Sequence, residues 1–142
     1  MLRAEFPDAG EQSPETLLEA YGSVLAGTIE SEGVGSVVEE TGLDQQLVVA
    51  VADGDVADRS LAEAAAILAT DPERVDAETL QSEARDILLM GMSMAVLDVE
   101  ALASGIDSQL EPKEIQQKIE GRHPMTLREY ALLHSYIEHR KR

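Results

Sequence analysis

Two groups of side chains in this sequence have types and spacings suited to binding an anion or a polar surface. The first is a strip in the C-terminal half, Lys113, Gln116, Gln117, Lys118, Arg122, His123 and Arg128, where cations and carboxamides recur at short intervals. Such groups donate charge-assisted hydrogen bonds to phosphate or carboxylate oxygens. The second is the adjacent pair Gln45 and Gln46, whose carboxamides offer both a donor and an acceptor and can read an adenine edge. Glu111, Glu114 and Glu120 interleave with the strip, which favours a solvated face of i,i+4 ion pairs over an anion site. The terminal run His139 to Arg142 can touch an acidic partner, or can be the cationic end of a helix.

Catalytic patterns are missing. The chain has no cysteine, which removes disulfides, thiolate metal sites and cysteine nucleophiles. It carries no Gly-rich phosphate loop, HExxH pair or nucleophile elbow, and His123, His134 and His139 stand in no i,i+4 arrangement. The expectation is therefore a protein that is not an enzyme, with no catalytic residues, no metal, no cofactor and no small-molecule ligand. Scattered carboxylates can form an acid-base pair only through folding.

Helices must position these residues, because no period-two pattern of useful length occurs. Ser13-Pro14-Glu15 opens the first, with an N-cap hydroxyl and a proline where no amide hydrogen is required, and Gly33 ends it. A short helix from about Ser36 to Thr41 stops at Gly42, Asp44 caps a third to about Asp53, and the capping box Ser60 to Glu63 starts a fourth ending near Ala69. The second half follows the same order. Asp76 caps a long helix over Ala77 to Leu97, Asp98 a short one stopping at Gly105, Pro112 begins the next, and the capping box Thr126 to Glu129 starts the last, reaching about His139.

Matching positions in the two halves keep a steady offset, Leu17 with Leu80, Gly42 with Gly105, Gly54 with Gly121, Leu61 with Leu127, apart from an insertion near Ser108 to Glu111. The fold class expected is all-α, about eight helices as two tandem four-helix, helix-turn-helix-like repeats fused into one compact domain. Residues 1–12 form an N-terminal arm, 13–70 the first repeat, 76–139 the second and 140–142 a basic tail. Phe6 is expected to tuck into the core. Ile87 to Leu97, which includes Met90, Met92 and Met94, is apolar around most of its circumference and is expected to be a central core helix rather than a metal or target groove.

The 142 residues carry 11 basic and 28 acidic side chains, a formal charge of −17, with 44% hydrophobic residues. Residues 1–84 hold a net −16 and residues 85–142 a net −1, so a surface that meets an anion lies in the second half. Scarce lysine and abundant carboxylate suit concentrated salt, since at about 1 M the Debye length is roughly 3 Å and self-repulsion is screened. Helical circular dichroism is therefore expected to fall on moving from molar KCl to dilute buffer, and an unchanged spectrum refutes the argument. The N-terminal segment has no apolar stretch of signal-peptide length and the longest apolar run is too short to span a bilayer, so a cytoplasmic protein with no membrane contact is expected.

The string SVVEETGLDQQLVVAVADGD resembles the helix-turn-helix of phage-repressor (Cro-like) domains. Gly42 matches the turn, Leu43, Val48 and Val51 the buried positions, and Gly54 the glycine closing the second helix. The resemblance implies that Gln45 and Gln46 begin a recognition helix. Against DNA contact, that helix contains no Lys or Arg, Asp44, Asp53 and Asp55 flank it, and Leu47 to Ala52 is an unbroken apolar run. Over nearly the whole chain, MLRAEFPDAG, EARDILLMGMSMAVLDVEALASGID and EPKEIQQKIEGRHPMTLREYALLH are similar to a haloarchaeal family known only as a domain of unknown function. That likeness implies halophilic origin and brings no activity. The function expected is that of a non-enzymatic interaction or regulatory protein acting through helical surfaces, with a protein partner or a second copy. The apolar surplus of the third helix supports it. The alternative is a DNA-binding transcriptional regulator.

Overall fold

The computed structural model describes residue 6, residues 8–106 and residues 108–141. Among these the chain is all-α. It forms a 3-10 turn, Ala9–Glu11, and eight helices: α1 (Pro14–Glu32), α2 (Val34–Thr41), α3 (Gln45–Ala52), α4 (Leu61–Leu68), α5 (Ala77–Ala95), α6 (Val99–Gly105), α7 (Pro112–Ile119) and α8 (Leu127–Arg140).

Local chemistry sets the helix starts. Ser13, Asp44, Asp76 and Asp98 each accept a hydrogen bond from an amide in the first turn, satisfying donors that the helix itself leaves open. Ser60 with Glu63, and Thr126 with Glu129, close reciprocal capping boxes at α4 and α8. Gly42 takes the left-handed conformation, φ 73°, that turns α2 into α3. Boundaries shift slightly from the sequence reading: α2 begins at Val34 rather than Ser36, and α5 stops at Ala95.

A single hydrophobic cluster runs through the molecule. Leu17, Tyr21, Leu25 and Ile29 of α1 meet Leu127, Tyr130, Leu133 and Ile137 of α8, and all eight are fully or almost fully buried. α1 also packs on α2, α3 and α4, while α5 lies between α4 and α8. The 3-10 turn rests on α8, and Phe6 sets its ring edge-on to Tyr21 at 4.9 Å.

The halves meet at their capping boxes. Ser60 and Thr126 form an isolated antiparallel bridge, in which the Leu61 amide donates to the Met125 carbonyl and the Leu127 amide to the Arg59 carbonyl, both at 2.8 Å. α5 and α6 are bent apart by 92°. No single helix among the described residues is long and apolar enough to cross a membrane.

The sequence reading of α5 needs correction. Leu80, Ala84, Ile87, Leu88 and Gly91 face inward, but Leu89 is 45% exposed, Met90 48%, Met94 66% and Val96 90%. Only α4 and α8 pack closely along this helix, with a lighter contact from α7, so one face of its C-terminal half stays open. The apolar run is amphipathic in context, although its composition is apolar all round.

Candidate functional site

α7 and the loop to α8 bring part of the cationic strip together. Lys118, Arg122 and His123 line a hollow of about 340 Å³ between the N-terminal turn of α4, the middle of α5 and the loop after α7. Gln81 and Arg85, one turn apart on α5, complete its inner wall. Three of the chain's cations thus line one cavity, and none of its carboxylates does among the described residues.

Each cation is held differently. Lys118 Nζ donates to both oxygens of Glu129 at 2.7 Å, so its charge is largely answered. Arg122 is 69% exposed and pairs with Glu120 at 3.2 Å. The Arg85 guanidinium has neither hydrogen bond nor ion pair among the described residues and lies flat against Gly121. A Cβ on that glycine would sit 3.0 to 3.3 Å from it. Gly121 also holds φ 81°, so only glycine gives both the turn and the close approach without strain.

The other strip residues lie elsewhere. Gln117 joins Lys118 and His123 in an adjoining hollow with Glu114, whereas Lys113, Gln116 and Arg128 are exposed and line neither cavity. Gln116 donates to Glu120 at 3.4 Å, while the ion pairs of the strip, Lys118–Glu129 and Arg122–Glu120, are not of the i,i+4 kind. Sequence reasoning missed Arg85 and Gln81, and its only trace of them was their i,i+4 spacing across the boundary between the acidic and the charge-balanced halves.

Gln45 and Gln46 are exposed and share a separate shallow hollow with Val49, Ala50 and Asp53. No cation lines it. The apolar surplus of α3 is mostly consumed inward: Val48 and Val51 are buried, Leu47 and Ala52 half-buried, and Val49 is 40% exposed. This helix therefore has an open face that its unbroken apolar run did not suggest.

Buried polarity is concentrated between the halves. His134 is 2% exposed, and Tyr21 lies with its hydroxyl 2.6 Å from His134 Nδ1. Burial, reinforced by the positive charge of Lys141, pushes the imidazole down to about 3, while burial pushes the Tyr21 phenol up. With both groups neutral, the phenol and the imidazole share one hydrogen bond whose direction is set by the imidazole tautomer. The Tyr130 hydroxyl donates to the Ala84 carbonyl at 2.9 Å, and the Ser135 hydroxyl to the Gln12 carbonyl at 2.6 Å. No three His, Asp or Glu side chains among the described residues converge as metal ligands do.

A family model described as a family of unknown function, DUF5791, matches residues 17–140. The chain belongs to that family. The match takes in the cationic hollow, the open face of α5 and the buried Tyr21–His134 pair. No curated protein and no solved structure matches the chain.

Proposed function

We propose that this chain is a non-enzymatic interaction or regulatory protein that works through the open face of α5. One observation carries the reading: Leu89, Met90, Met94 and Val96 are exposed within two turns of a chain that otherwise buries most of its large apolar side chains. Clustered exposure of this kind marks interaction surfaces, whereas scattered exposure does not. Val96 adds to it. This β-branched residue closes α5 with φ 56° and ψ 50°, a left-handed ending normally given to glycine. Holding it there costs about 1 to 2 kcal/mol, and its side chain gains nothing from the core because it lies in solvent.

Exposed Glu83, Asp86, Asp98 and Glu100 flank this surface, so the complementary partner is a protein with an apolar face and a basic rim. A second copy would bring like charges together and needs high salt to dock. The charge balance supports a halophile's cytoplasm as the setting. The paired capping boxes, with equivalent residues exchanging equivalent hydrogen bonds, support descent from a duplicated four-helix, helix-turn-helix-like unit related by an approximate two-fold axis.

Val96→Gly is expected to raise stability by about 1 kcal/mol by relieving the left-handed strain, and Met94→Asp to leave it nearly unchanged. Both are expected to reduce association with a protein that the unaltered chain captures, or with itself by light scattering in molar KCl. A strict monomer that captures nothing overturns the reading, as does full association by both variants.

The exposure of Gln45 and Gln46 after the short α2–α3 turn favours a second reading, DNA contact by α3. Phosphate contacts supply most nonspecific affinity, and no cation lines that hollow. Retardation of genomic fragments that Gln45→Ala abolishes would establish it. Failure to retard any fragment across a range of salt would remove it.

A further inference from the structure

We infer that the hollow between α4, α5 and the α7–α8 loop is a binding site for a small molecule bearing a phosphomonoester, with Arg85 as its central ligand-binding residue. The inference is independent of the α5 surface.

Charge placement makes the first argument. Arg85, Lys118 and Arg122 line this cavity in a chain that carries more than twice as many acids as bases. Random placement puts carboxylates among them, yet none of the described residues' carboxylates lines it, and Glu114 lines only the adjoining hollow. Glu129 holds Lys118, Glu120 holds Arg122, and Glu63 closes the capping box of α4. The first two answer Lys118 and Arg122 and leave Arg85 unanswered.

Construction makes the second argument. Arg85 is half-buried and pressed on Gly121, which removes much of the guanidinium's rotational freedom before any ligand arrives. A planar fork held in this way suits two oxygens of one phosphate. At the first turn of α4 the Ser60 amide donates to Glu63, the Leu61 amide to Met125 and the Glu63 amide to Ser60. The Ala62 amide is left without an acceptor among the described residues, and Ala62 lines the hollow. His123 stands on the same wall and adds a donor.

Size and charge select the ligand class. A cavity of about 340 Å³ accepts a phosphate with a small organic group and excludes a duplex. Three lining cations, two of them already partnered, match the dianionic monoester better than the single charge of a diester backbone.

The test is an amide chemical-shift titration of the full chain with inorganic phosphate and with glycerol phosphate, at constant ionic strength, and dimethyl phosphate as the diester control. Saturable shifts are expected at Ala62, Gly121, Arg122 and His123 with both monoester probes, and at least about tenfold weaker binding of the diester. Arg85→Gln is expected to weaken binding about tenfold or more, because it removes a charge-assisted pair, while Arg85→Lys restores part of it. Arg122→Gln, at an exposed position, gives a smaller loss and serves should Arg85→Gln fail to fold. Saturation with glycerol phosphate but not phosphate places recognition in the organic group as well, and still supports the site. The inference is overturned by non-saturating shifts with both probes, by equal binding of the diester, or by unchanged binding in both glutamine variants.

Discussion

As pH falls from 6.5 to about 3, His134 is expected to withdraw about 1.4 kcal/mol of stability per pH unit. The sign follows from where the proton goes. Above 6.5 the imidazole is neutral in both folded and unfolded chains, so the linkage costs nothing. Below 6.5 the unfolded chain takes up a proton that the folded chain refuses until about pH 3, because charging the ring means burying a cation at 2% exposure. Protonation of surface carboxylates acts in the opposite direction by relieving the repulsion of a −17 chain, so the effect is read by difference. Chemical denaturation between pH 7 and pH 4 is expected to show a steeper acid loss for the natural chain than for His134→Gln. Parallel profiles would remove the linkage. Tyr21→Phe leaves the buried Nδ1 without its hydrogen-bond partner and is expected to cost about 1 to 3 kcal/mol at pH 7. Because Tyr21 belongs to α1 and His134 to α8, that loss measures how firmly the two halves are joined.

Gly10→Ala is expected to detach the N-terminal turn from α8. A Cβ at this position would lie 2.8 Å from the carbonyl carbon and oxygen of Glu138 and 2.9 Å from the His139 amide nitrogen. These are backbone atoms of a helix, so no rotamer change relieves the clash, and overpacking of this kind costs about 1 to 3 kcal/mol. If the turn moves away, Phe6 leaves its place against Tyr21, forfeiting about 1.5 to 3 kcal/mol of burial. The Ser135–Gln12 hydrogen bond goes with it. Denaturation should therefore show a loss of a few kcal/mol, and limited proteolysis should cut the first dozen residues faster. Gly27→Ala is the control: Gly27 lies within α1 and a Cβ there meets nothing within 4 Å, so that variant should gain about 0.5 to 1 kcal/mol. Equal stability and protease resistance for Gly10→Ala would mean that the turn contributes little to the fold.

Helix content and helix ends were legible in the sequence because caps act within four residues. Ser13, Asp44, Ser60, Asp76, Asp98 and Thr126 each bond an amide two or three positions on, so the sequence neighbourhood contains both partners. The strip of Lys118, Arg122 and His123 was legible for the same reason, since one helix end and its loop hold all three. Exposure was not. Leu47 to Ala52 and Ile87 to Leu97 announce apolar surface, but how much of it is covered depends on which helices arrive, and α5 receives close neighbours on only part of its circumference.

The rest required contacts between residues far apart in the chain. Arg85 reaches the strip only because α5 passes beside the loop after α7, and Tyr21 meets His134 only because α1 packs along α8. The sequence by itself thus determined where helices start and stop and which residue types each one carries. Tertiary structure alone decided which side chains share a cavity, which apolar face stays in water and which histidine loses its proton, because burial and long-range proximity depend on every helix at once.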